Sequence, residues 1–243
     1  MLLRPVCLAA LALLPACAPP AAACTPKVRA EVLRRALKLM PPALARQLTR
    51  HERELKDGAL RGTDLVPVQA LEPGTHDADL AALVASAKQL LDSQAPMSEV
   101  ARTFGAIARA SFDLSFALNV GPHDERDAAI YGPFCTYVEQ KLPRIATTFS
   151  GYENDELARG DVAAFARQTA RIARRDYPGI LNSYFPPGRK ALPQDFDDRS
   201  VAFASASLEV SLALTTTARS WLYAWNEAQG DLTGTPFLDG DRR

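Results

Sequence analysis

SLEVSLALTTTARSWLYAW, residues 207–225, decides the fold class, because it admits two readings. Leu208, Val210, Leu212 and Leu214 alternate with smaller or polar residues, as in a half-buried strand. Against that, the run from Arg199 to Glu227 is rich in alanine and contains neither glycine nor proline to turn a hairpin. Trp221 and Trp225 stand four apart, on one face of a helix. The stretch therefore predicts a long buried helix, and the fold class becomes all-α.

Working outward, Val28, Val32, Ala36, Leu37 and Met40 recur at helical spacing until Pro41-Pro42 interrupts them. A charged surface helix is expected from Pro42 to Leu60, then a Gly/Pro-rich loop up to Thr75. The next helix is expected from Asp77, its N-cap, to Ser93, and another from near Ser98. Residues 121–133 read as a connection and 134–145 as a helix. In 160–178, Val162, Phe165, Thr169 and Ile172 form one face, and Arg167, Arg171, Arg174 and Arg175 a basic stripe on the other. Such a stripe is most simply a solvated face, with phosphate binding as the alternative. Residues 183–200 form a proline-rich loop, and 229–243 a loose tail. These boundaries give one helical domain over 28–228.

The 28 basic residues equal the 28 acidic ones, so nothing in the net charge points to nucleic acid, and no nucleic-acid partner is expected. The first 16 residues read as an export signal: Arg4, a short apolar run, then Leu14-Pro15-Ala16 before Cys17. That ending resembles a bacterial lipobox, which makes Cys17 the expected lipidation site and 17–27 a flexible tether. The rival is simple cleavage after Ala23. Both place the protein outside the cytoplasm, and the first anchors it by lipid to a membrane, facing the periplasm. Cys24 and Cys135 could then pair as a disulfide.

FGAIARASFDLSFALNVGP, residues 104–122, holds a lone carboxylate, Asp113, among Phe112, Leu114 and Phe116. Burying it demands a positive or hydrogen-bonding partner. Arg109 lies four residues earlier, on the same helical face. This pattern resembles the zinc-dependent phospholipase C and single-strand nuclease family, all-helical secreted phosphodiesterases whose helix reads His-x-x-x-Asp-x-x-x-Pro-Leu-His. On this chain the helix supplies Arg109, Asp113 and Ala117-Leu118-Asn119, so the Asp survives and both histidines are replaced. By the same resemblance Arg29 takes the place of the first-helix His, Asp64 and His76 match metal-binding positions, and Tyr131 and Cys135 fall where a His-x-x-x-Glu/Asp pair would stand.

Three zinc ions need roughly nine donors, mostly neutral nitrogens and carboxylates. Asp64, His76 and Asp113 alone do not make such a set, and a guanidinium cannot ligate a cation. The resemblance thus implies a protein without catalytic residues or a bound cofactor, in which Arg29 and Arg109 replace the charge of the lost metal beside Asp64 and Asp113. Its alternatives are an exposed Arg109–Asp113 pair with no special role, and surface positions for His51, His76 and His123, with a relocated metal site near His123 as a further option. Three functions follow: an envelope lipoprotein of phospholipase C-like fold with a binding or structural role, a metal-dependent phosphoesterase with a reduced zinc site, or an unrelated helical envelope protein. No G-x-S-x-G elbow and no H-E-x-x-H motif offers another route to catalysis.

Overall fold

A computed structural model describes residues 26–60, 75–122 and 125–238. Among them all regular structure is helical, in eleven α-helices with no strand. The 207–225 stretch lies within the longest, Val201–Glu227 (α11). Its Leu208 is 57 % exposed while Glu209, Val210, Ala213 and Leu214 are buried, a periodicity of a helix and not of a strand. Ser200 caps the start by accepting from the Phe203 amide. Toward the other end the Trp221 indole is fully buried and donates to the Phe104 carbonyl at 2.8 Å. This helix is long and apolar enough to cross a membrane, but most of its apolar window is packed inside the protein.

The remaining helices follow in order: Pro26–Leu37 (α1), Pro42–Arg50 (α2), Glu52–Leu60 (α3), Thr75–Asp92 (α4), Met97–Ser115 (α5), Ala117–Val120 (α6), Asp127–Lys141 (α7), Asp155–Ala158 (α8), Val162–Arg174 (α9) and Tyr177–Tyr184 (α10). α5 packs on α3, α4 and α11. At its crossing with α3 the backbones touch through two glycines. A Cβ on Gly58 would sit 1.9 Å from the Arg102 carbonyl oxygen, and one on Gly105 would sit 2.0 Å from that of Leu55. Two apolar cores result. One joins α2–α5, α9 and the C-terminal half of α11. The other is aromatic, with Phe112, Phe116, Phe134, Tyr137 and Tyr184, and lies among α1, α5, α7, α10 and the N-terminal half of α11.

Several elements differ from the sequence reading. The helix expected over 42–60 breaks at His51, whose ψ of 35° ends α2. The connection expected over 121–133 is helical from Asp127 onward, with Pro133 inside the helix. Proline there leaves the Ala129 carbonyl without its usual amide partner, and the Lys190 ammonium donates to it at 3.2 Å. In α9 the buried face is Val162, Phe165, Ala166, Thr169, Ala170 and Ala173, and Ile172 turns outward. Residues 229–238 are not loose: Thr235 is buried, the Trp225 indole donates to the Asp231 carbonyl, and Phe237 packs on Phe149.

Candidate functional site

The inward face of α1 carries Val28, Val32 and Ala36, and Arg29 lies beside them with its side chain only 3 % exposed. It reaches α5. Its Nη2 donates to Asp113 Oδ1 at 2.5 Å, and its guanidinium lies over the Phe112 ring at 4.7 Å from the centroid. Phe112 in turn stacks on Phe116. A cation so deeply placed needs both contacts, one for its charge and one for its flat face.

Asp113 also lies in the last turn of α5, which ends at Ser115. In an uninterrupted helix its carbonyl would accept from the Ala117 amide. Here Phe116 is extended (φ −100°, ψ 120°), and the Ala117 amide donates instead to Glu209 Oε1 of α11 at 2.8 Å. The Asp113 carbonyl accepts from the Asn119 side chain at 3.2 Å, and Asn119 Oδ1 accepts from the Tyr131 hydroxyl at 2.9 Å. A side-chain amide thus closes the helix end, and the break turns Asn119 back toward α5.

Arg29, Asp113, Asn119 and Tyr131, brought from α1, α5, α6 and α7, form one hydrogen-bonded chain. Arg109 lies one turn before Asp113 and lines the same crevice as Arg29, with Val32, Ala59, Ala108 and Phe112. The crevice has no room for a water molecule. Cys135, one turn beyond Tyr131 on α7, is buried and disulfide-bonded. Cys17, Cys24, Asp64 and His123 lie outside the described residues, as does the side chain of His76.

Glu209 is the residue that the sequence reading missed. It is fully buried, and its Oε2 has no hydrogen-bond partner among the described residues. Burial pushes its pKa well above the usual carboxylate range, opposed by the Ala117 amide and assisted by the negative charge of Asp176. The signal was present, since Glu209 stands between Leu208 and Val210 as Asp113 stands between Phe112 and Leu114.

Zinc does not fit the described set. Asp113 is engaged by a guanidinium, Asn119 and Tyr131 are engaged by each other, and Cys135 is oxidised. No group of three or more His, Cys, Asp or Glu side chains capable of holding a metal occurs among the described residues. Two open clefts, of about 370 and 360 Å³, flank Tyr223 and Glu227 near the C-terminal end of α11, and no member of the network lines them.

No protein-family model matches the chain, and no curated protein or solved structure matches it.

Proposed function

We propose that this is an exported envelope protein, anchored by lipid at Cys17, whose helical frame resembles that of the zinc phosphodiesterases and whose metal site has become an arginine–carboxylate network. It serves in binding or support, and it does not hydrolyse phosphodiesters. One observation carries the reading. Four positions that the family resemblance maps to metal ligands, Arg29, Asp113, Asn119 and Tyr131, are joined in one largely buried hydrogen-bonded chain with Asp113 at its partly exposed point, although they are spread over 103 residues (131 − 29 + 1). An accidental resemblance gives no reason for that convergence. The chemistry also has a direction, since the guanidinium supplies fixed positive charge without needing an ion. The disulfide at Cys135 fits an oxidising compartment and so supports export.

Elemental analysis of protein purified without chelators, with hydrolysis of bis(p-nitrophenyl) phosphate, tests the site. The expected result is less than 0.1 zinc per chain (about a tenth of one bound equivalent), no turnover, and no rise in Tm on adding zinc, because no ligand set distinguishes folded from unfolded chain. One or more zinc ions per chain with phosphodiesterase activity would establish the reduced-metal enzyme instead.

A further inference from the structure

Away from the Arg29–Asp113 network, the C-terminal half of α11 presents a second polar face. Arg219, Tyr223, Asn226 and Glu227 recur at i, i+4, i+7 and i+8, and together they line the cleft of about 370 Å³. That volume lies at the small end of ligand cavities, which run from about 300 to 1,000 Å³. Leu157, Leu222 and Leu232 supply apolar wall. Arg219 is half-buried, and no carboxylate pairs with it among the described residues. Instead its Nε donates to the Gly151 carbonyl at 2.9 Å and its Nη2 to the Ser150 carbonyl at 3.1 Å. Gly151 has φ 77°, and this left-handed turn lets two successive carbonyls face one guanidinium edge, where extended backbone would point them apart. One edge is thus fixed to backbone, and the Nη1–Nη2 edge keeps the paired N–H donors that fit a carboxylate. Burial lowers the pKa of Arg219 from its ordinary value with no acid to oppose the shift, so an anion would relieve an uncompensated cost.

We propose that this cleft binds short apolar peptides with free ends, the C-terminal carboxylate on Arg219 and the N-terminal ammonium toward Glu227. The two residues are eight apart (227 − 219), about 12 Å between Cα atoms along the helix, and an extended tripeptide spans about 10–11 Å. Tyr223 stands between them, and its hydroxyl makes no hydrogen bond among the described residues. Burial first, then the Glu227 charge, pushes its pKa above the ordinary value against the pull of Lys88, so it stays a neutral donor for a peptide carbonyl. Glu153, the other acid of the lining, is exposed and keeps its hydration. A ligand carrying only a carboxylate would leave the acid of α11 unanswered, and one carrying only an ammonium would leave Arg219 unpaired. A zwitterion with an apolar middle answers both charges and the leucine wall.

Isothermal titration of the full chain with the tripeptide Ala-Leu-Ala tests this, beside its C-terminal amide and its N-acetylated form. One site with a Kd of about 0.1 mM is expected. Amidation should weaken binding roughly 10- to 100-fold, because a charge-assisted contact in a half-buried place is lost. Acetylation should weaken it only about threefold to fivefold, because Glu227 is exposed. Arg219→Gln should bind acid and amide alike. Glu227→Gln should bind free and acetylated peptides alike while still rejecting the amide. Circular dichroism checks the fold of each variant, and the exposed Glu227 keeps the test decisive if Arg219→Gln does not fold. Absence of saturable binding, an amide that binds wild type as tightly as the acid, or a folded variant that keeps the discrimination it should lose would overturn the proposal. None of these outcomes depends on zinc content or on lipid anchoring.

Discussion

Removing either half of the Arg29–Asp113 pair should destabilise the protein unequally, and burial sets the order. The Arg29 side chain is 3 % exposed and that of Asp113 is 20 % exposed. Asp113→Leu takes the carboxylate at 2.5 Å away from a guanidinium that is almost fully buried, for which the expected cost is about 3–5 kcal/mol. Arg29→Met leaves a carboxylate that is partly in contact with water and keeps some solvation, while Met preserves apolar packing on Phe112. The expected cost is about 2–3 kcal/mol. Combining them replaces the pair by two apolar side chains of similar bulk. The double variant should lie within about 1.5 kcal/mol of wild type, a coupling of several kcal/mol. Urea unfolding of the four proteins, with a common m-value as the check on two-state behaviour, measures all of these. Additive losses, or a larger loss for Arg29→Met than for Asp113→Leu, would refute the reasoning, because each would mean that the two groups do not compensate one another's burial.

Two further outcomes follow from the fold. The pKa of Glu209 is raised in the folded state above its ordinary 4.5, so the stability it confers is complete below that value and is lost as pH rises toward the folded-state pKa. Glu209→Gln, which keeps the acceptor for Ala117, should remove a fall of up to about 1.4 kcal/mol per pH unit above pH 4.5, and identical pH slopes for both proteins would show that Glu209 is not held neutral. Gly58→Ala or Gly105→Ala should cost about 3 kcal/mol or more, since the new methyl meets a backbone oxygen that cannot yield; a loss under 1 kcal/mol in thermal unfolding would mean that α3 and α5 slide apart freely.

The helices were legible in the chain because each rests on spacing within a few residues. The period that buries Val210, Ala213 and Trp221 belongs to α11 itself, and Pro41-Pro42 ends a helix wherever it stands. The same local logic failed at Pro133, where a distant group, Lys190, satisfies the Ala129 carbonyl that the proline leaves without an amide. The oddity of Asp113 could be read directly, since a carboxylate among phenylalanines demands a partner. Arg109 is four residues away and was the near candidate, yet the 2.5 Å contact is made by Arg29, 84 residues upstream. Local spacing fixes which residues share a helical face, but the rotation of α1 against α5 decides which charge meets Asp113, and that is set by packing the apolar residues of both helices at once. Glu209 was passed over for the same reason: its partner is an amide freed only where α5 breaks, 92 residues upstream.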